Sequence, residues 1–167
     1  MKDGKTVAIV PGSFDPITYG HIDIVKRASK LYDTVYLAVM INDQKKYTFT
    51  IEERERIARA ALCDVANVNV ISSCGMLWRL AEELCADAIV KGYRNRIDYD
   101  YEQKMAEYNA EKNPTAKTVL LEADSRYHEL SSTLVREKIS KNQSLDGMLP
   151  QASIDEVYAI LSGRNKN

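Results

Sequence analysis

The sequence predicts an α/β fold, a doubly wound five-stranded parallel sheet in a single domain, and three observations carry that prediction. Short apolar strand patterns alternate with amphipathic helix patterns along the whole chain, with no repeat and no low-complexity segment. Strands separated by helices pair in parallel through right-handed crossovers. Residues 88–90 are entirely apolar, as expected of a central strand buried on both faces. The first apolar run, residues 7–10, leads through Pro11-Gly12 into a helix start, which leaves a phosphate-sized loop at a strand end.

Residues 6–10 form the expected first strand, stopped by Pro11 and Gly12. Pro16 then sets the chain direction and Thr18 is the N-cap candidate. A helical pattern follows from residue 22 to about 32, with Ile24, Val25, Ala28, Leu31 and Tyr32 as its apolar face. His21 precedes Ile24 and Val25 by three and four residues, which puts it on the sheet-facing side at the helix start, over the carboxyl edge of the first strand. The second strand is residues 34–40, and a loop over 41–48 leads to a helix whose capping box is Thr50-Ile51-Glu52-Glu53 and which ends near Cys63. A short strand at 68–71 precedes a helix at 76–85 with Leu77, Leu80, Ala81 and Leu84 on its apolar face. Gly92 ends the fourth strand, a helix runs from about 99 to 112 before the breaker Asn113-Pro114, and residues 118–121 make the fifth strand. Ser131-Ser132 caps a helix through about 141, and a last helix covers 154–161 after Leu149-Pro150.

With 167 residues the chain has room for one domain with a full core, expected to span 1–167, and is too short for two ordinary ones. Its 23 basic and 24 acidic residues are interspersed and nearly cancel, so bulk charge points neither to nucleic acid nor to a membrane surface. An anion site must therefore be built locally. Cys63, Cys74 and Cys85 form no CxxC pair and read as reduced, mostly buried thiols of a cytoplasmic protein. The apolar run near the N-terminus is far shorter than a signal-peptide core, and no stretch has the length of a membrane span.

The strand-end loops hold groups suited to phosphate: the helix-start amides near Gly20 and His21, donors near Ser132, and the cations Lys45, Lys91 and Arg94. No GxSxG, no Cys with a nearby His, no paired carboxylates and no GxxxxGK[ST] are present. Binding and positioning thus have to carry the chemistry, which suffices if the attacking group is itself a phosphate monoester. Taken singly, the same residues have plainer readings. His21 is a capping or solvent-exposed histidine, Lys45-Lys46 a solvated pair, Asp15 beside Pro16 a turn-stabilising residue, His128 a loop residue, and Trp78 core or interface.

Three motifs tip that balance. Gly12-Ser13-Phe14-Asp15-Pro16 with Thr18-x-Gly20-His21, Lys91-Gly92-Tyr93-Arg94, and Leu130-Ser131-Ser132-Thr133-Leu134-Val135-Arg136 stand in order, each at a strand end. Together they resemble the signature elements of the T/HxGH nucleotidyltransferase superfamily, most closely the phosphopantetheine adenylyltransferase family. The resemblance covers nearly the whole chain. It implies a Rossmann-like sheet of order 3-2-1-4-5, so that ligands bind where the winding reverses, between the first and fourth strands. It also implies that the phosphate of 4'-phosphopantetheine attacks the α-phosphorus of ATP, giving dephospho-coenzyme A and pyrophosphate, with Mg²⁺ held mainly by substrate phosphates and no protein metal ligand. By the same resemblance His21, Lys45 and Arg94 are the catalytic groups. Ser13, Lys45, Leu77 and Lys91 meet the acceptor, while Ser13, Phe14, His21, Gly92, Tyr93, Arg94, Glu102 and the run Tyr127, His128, Glu129, Leu130, Ser131, Ser132 and Thr133 meet ATP. Family members assemble as homohexamers built from two trimers.

Two positions depart from the family pattern: Lys91 stands where arginine is common, and Thr133 closes a run that is often three serines. A sibling nucleotidyltransferase acting on nicotinate mononucleotide or a polyol phosphate, and a non-catalytic nucleotide sensor of the same fold, remain the competing readings. A sensor has no need of the transition-state histidine.

Overall fold

The structure is a computed structural model and describes residues 4–167; the first three residues of the expected domain lie outside the described residues. Five parallel strands, β1 (Val7–Gly12), β2 (Thr34–Met40), β3 (Val68–Ser73), β4 (Ala88–Tyr93) and β5 (Lys117–Glu122), form one sheet of order β3-β2-β1-β4-β5, the order expected. Helices α1 (Tyr19–Leu31), α2 (Ile51–Ala61), α3 (Leu77–Glu83), α4 (Arg96–Lys112), α5 (Ser132–Ser140) and α6 (Gln151–Arg164) connect and cover it.

Alternation along β1 shows how both sheet faces become core. Ala8 and Val10 join a cluster with Ile24, Val25 and Ala28 of α1, Ile57 and Ala58 of α2, and Ile154 and Val157 of α6. Ile9 points the other way, into a smaller cluster with Ala38, Ile89 and the α3 residues Leu80 and Ala81. Among the described residues no helix is long and apolar enough to cross a membrane.

Several boundaries differ from the sequence-based expectation, and the reasons are local. β1 does not stop at Pro11 but runs to Gly12, paired with Ala38 and Val39 of β2. Its register with β4 ends earlier, at Ile9 and Ile89. Beyond that point β1 is paired on one side only, a condition under which a proline is tolerated. The same parting of β1 from β4 opens the crevice. β4 likewise passes through Gly92 to Tyr93, because its backbone stays in register with β5 from Lys91 against Leu120 to Tyr93 against Glu122. Helix α4 begins earlier than expected because Asn95 caps it, accepting a hydrogen bond from the Asp98 amide at 2.9 Å.

Two burial expectations fail. Leu31 is 62% exposed: it is the last residue of α1, and the buried face of the helix ends at Ala28. All three cysteines are free and exposed rather than buried. Each lies one or two residues past the end of a helix or strand, on a turn or bend instead of an apolar face, and Cys85 even adopts a positive φ of 51°.

Candidate active site

A crevice of about 880 Å³ lies over the carboxyl ends of β1 and β4 and brings all three motifs together. That volume suits a small-molecule or cofactor site. Its lining includes Ser13, Phe14, His21, Lys45, Lys91, Gly92, Tyr93, Arg94, Glu102, Tyr127, Leu130, Ser131, Ser132 and Thr133 from the sequence-based list. Three residues of that list are not in the lining. Leu77, the first residue of α3, packs part-buried against the Ile9 and Ala38 cluster. His128 turns its Nε2 to the Ala123 carbonyl, 2.9 Å away, and Glu129 is exposed beside it.

The β1 loop owes its shape to Gly12 and Phe14. A Cβ at Gly12 would lie 2.9 Å from the Phe14 ring, so the ring folds back over bare backbone. Phe14 takes φ 47°, a left-handed conformation uncommon for a bulky residue. In return its buried ring meets the His21 imidazole edge-on, with centroids 5.1 Å apart.

His21 is the third residue of α1, and Thr18 is the N-cap. The Thr18 amide donates to His21 Nδ1 at 3.0 Å, and Thr18 Oγ1 lies 3.1 Å from the same nitrogen. The imidazole therefore performs the capping task and, in doing so, has its tautomer set. With Nδ1 accepting an amide proton, the proton of the neutral ring sits on Nε2. Burial pushes the His21 pKa down to about 4, with Arg94 and then Lys91 adding to the depression by repelling the charged form. At neutral pH the site holds an uncharged N–H donor. The folded chain also resists the proton that the unfolded chain takes up below pH 6.5. Stability is therefore expected to fall between pH 6.5 and 4, by up to about 3 kcal/mol from this residue. Urea unfolding at pH 7 and pH 4.5 should show a smaller acid loss for His21→Gln than for wild type; an unchanged loss would mean His21 titrates normally.

Loops from opposite ends of the chain clasp the β1 loop. The Asp15 carboxylate accepts from the Thr48 and Phe49 amides, both at 3.0 Å, so it links two loops instead of closing its own turn as the sequence suggests. Arg136 donates to the Asp15 carbonyl at 2.9 Å and to Thr133 Oγ1 at 3.1 Å. Ser131 caps α5 by accepting from the Leu134 amide, and Ser132 Oγ donates to the Pro16 carbonyl at 2.8 Å. These hydroxyls make protein contacts, and with the Leu134 and Val135 amides bonded to Ser131, the Ser132 and Thr133 amides are the ones a helix start can offer to an anion.

On the β4 side, Lys91 Nζ pairs with Glu102 Oε1 at 3.5 Å and Arg94 with Asp98 at 3.3 Å. Each carboxylate of the crevice, Asp15, Asp98 and Glu102, thus has a donor of its own. Gly92 marks the closest approach of α1, because a Cβ there would lie 2.9 Å from Ile24 Cγ1. Gly92→Ala is expected to push Ile24, and with it the helix that carries His21, at a loss of about 1–3 kcal/mol from overpacking. Chemical denaturation checks this, and Ile24→Val in the same chain should recover part of the loss.

Arg54 and Tyr47 are the groups that sequence reading misses. Arg54 is 1% exposed, and its signal is a basic residue at the apolar-face position three, four and seven residues before Ile57, Ala58 and Ala61. Tyr47 sits in the loop after β2 and lines the crevice.

Comparison with known proteins agrees with this geometry. Residues 9–138 match the family model described as cytidylyltransferase-like. The phosphopantetheine adenylyltransferase of Shouchella clausii is 40% identical over 154 residues, covering 90% of this chain and 97% of that protein. The protein of that name from Streptococcus equi subsp. zooepidemicus is 38% identical over 161 residues, covering 96% of this chain and 97% of its own. A third, from Caldanaerobacter subterraneus subsp. tengcongensis, reaches 44% over 131 residues, 78% of this chain and 82% of its own. With its strand order, its three motifs and these relatives in agreement, the chain belongs to the phosphopantetheine adenylyltransferase family of cytidylyltransferase-like proteins.

Proposed function

We propose that this chain transfers the adenylyl group of ATP to 4'-phosphopantetheine, forming dephospho-coenzyme A and releasing pyrophosphate. The observation that carries the reading is His21, a neutral imidazole with Nδ1 occupied by the Thr18 amide and its remaining N–H left to donate, in a crevice it shares with Lys91 and Arg94. An oxygen of the acceptor phosphate attacks the α-phosphorus in line. The bond from that phosphorus to its bridging oxygen breaks, and pyrophosphate leaves with the electron pair. The attacking phosphate monoester is already anionic, so no side chain has to remove a proton. His21 donates its Nε2–H to the α-phosphate oxygen on which charge grows.

Lys45 and Lys91 hold the acceptor phosphate in this reading, with Ser13 and Phe14 between the two substrates. Arg94, Gly92, Tyr93 and Glu102 face ATP from β4 and α4, and Tyr127 with Leu130, Ser131, Ser132 and Thr133 faces it from the other wall. Mg²⁺ is the proposed cofactor, and when bound it neutralises phosphate charge. The crevice carboxylates are engaged by protein donors, which suits a metal carried in by substrate phosphates and water rather than a resident cage.

Pyrophosphate release measured with ATP and a panel of phosphorylated acceptors tests the reaction. Turnover with phosphopantetheine is the expected result, and turnover with nicotinate mononucleotide in its place would overturn it. A homohexamer is the proposed assembly. It is supported by the row Ile97, Tyr101, Met105 and Tyr108 on α4, 39–81% exposed, on a helix whose one buried residue among those described is Asn109. Light scattering should return six times the chain mass of 18.9 kDa, and the monomer mass would remove the proposal.

A further inference from the structure

Arg54 carries a positive charge into a place where the fold does not require one. It is 1% exposed on the inner face of α2, beside Ile57 and Ala58, and its Nε has no hydrogen-bond partner. Burial draws its pKa below the ordinary arginine value. An apolar side chain of similar length would fill the same space without the desolvation penalty, so packing alone does not explain an arginine here.

Its contacts do. Arg54 Nη1 donates to the Ser13 carbonyl at 2.6 Å and to the Met40 carbonyl at 3.0 Å, bridging the carboxyl ends of β1 and β2. The guanidinium lies 3.9 Å from the centroid of the Tyr47 ring. Tyr47 Oη in turn accepts from the Asn42 amide at 2.7 Å and lies 3.4 Å from Ser13 Oγ. One buried cation thus fixes three parts of the crevice wall: the β1 loop, the last residue of β2, and the ring that closes the loop carrying Lys45. Arg54 is not itself in the crevice lining, whereas Ser13, Tyr47 and Lys45 are.

We propose that Arg54 is a positioning residue for the acceptor half of the site, acting through Tyr47 and Ser13 to hold the Lys45 loop at the distance the acceptor phosphate needs. The inference rests on the adenylyl-transfer reading and adds to it the group that presets the acceptor side. Small displacements of a positioned group lower catalysis steeply, by as much as about 10²-fold for a shift of 1 Å. In that reading ATP meets chiefly the β4, α4 and α5 walls, and Arg54 reaches the ATP side only through the Ser13 backbone, between the two substrates.

The test is steady-state kinetics of the full chain with each substrate varied in turn, on Arg54→Met, Arg54→Lys and Tyr47→Leu, beside urea unfolding of each. Arg54→Met is expected to raise the acceptor KM by at least about 10-fold and the ATP KM by less than about 2-fold. Arg54→Lys keeps the charge but replaces the guanidinium over the Tyr47 ring with a compact ammonium on a different reach, so it should recover only part of the acceptor KM. Tyr47→Leu leaves the buried arginine and its two carbonyl bonds in place and should reproduce the acceptor effect even if Arg54→Met proves too unstable to assay. Lower stability with both KM values unchanged, or both raised equally, in Tyr47→Leu and any foldable Arg54 variant would overturn the proposal. Failure of the wild-type chain to use phosphopantetheine would overturn the substrate reading instead, and the split between ATP and whichever acceptor it does use would still decide the role of Arg54.

Discussion

Replacing His21 by alanine is expected to lower kcat at least ~10²-fold while ATP affinity stays nearly unchanged, the loss that accompanies removal of an oxyanion donor. The asymmetry follows from geometry. The ring is anchored at both ends before any substrate arrives, by the Thr18 amide on Nδ1 and by the edge-on Phe14 ring at 5.1 Å. In the proposed reaction its Nε2–H bond would strengthen only as negative charge builds on the α-phosphate, and so contribute to the transition state far more than to the ground state. His21 also caps α1, so the alanine variant loses some stability, and a helix that frays at its start would lower kcat for a dull reason. A glutamine variant separates the two causes, since its side-chain oxygen can accept the Thr18 amide while its NH2 supplies a substitute donor. Recovery of stability together with part of kcat supports the donor role, and recovery of stability with kcat still as low as in the alanine variant counts against it. An alanine variant with near wild-type kcat would leave His21 with the capping role alone.

Much of this architecture is legible in the sequence because it follows from local chemistry. Thr50 and Glu53 satisfy each other's amides as their spacing requires, at 3.2 and 2.9 Å, and Ser131 caps α5 as a serine before a helical pattern should. Strand order came from a resemblance rather than from residues, since nothing in a strand's own pattern says which neighbour it pairs with. The strand ends escape sequence reading for a related reason. Ser72 and Ser73, or Lys91 and Tyr93, look like loop residues, yet pairing uses backbone groups and continues wherever a neighbour stays in register. Arg54 is not legible in the sequence, because amphipathic periodicity treats a charged residue on an apolar face as noise. Its carbonyl partners, Ser13 and Met40, lie 41 and 14 residues away in sequence, and only the fold brings them together. Asp15 shows the opposite error, a local turn role assigned to a carboxylate that accepts from amides 33 and 34 residues on.

Lys91→Ala is expected to raise the acceptor KM by roughly 10–150-fold, equivalent to about 1.5–3 kcal/mol, and to change the ATP KM far less. Lys91 lies within β4, in register with Leu120 of β5, so its side chain is launched from rigid backbone at the crevice edge. Its Nζ is 3.5 Å from Glu102 Oε1, and the two side chains are 26% and 15% exposed. That separation is long for a charge-assisted hydrogen bond, about 2.7–2.9 Å at its best, so an incoming phosphate dianion can take the ammonium group without breaking a strong bond. The alanine variant is expected to lose more than this attraction, because it leaves the Glu102 carboxylate without its Lys91 partner at the edge of the proposed acceptor-phosphate position. Glu102→Gln in the Lys91→Ala chain should therefore recover part of the acceptor KM, and the double-mutant cycle divides the effect between lost attraction and unmasked repulsion. Lys91→Arg should keep most activity, since the planar fork can pair with Glu102 and phosphate together. An alanine variant with unchanged acceptor KM, or one that weakens ATP alone, would take Lys91 out of the acceptor site and leave Lys45 as its proposed cation.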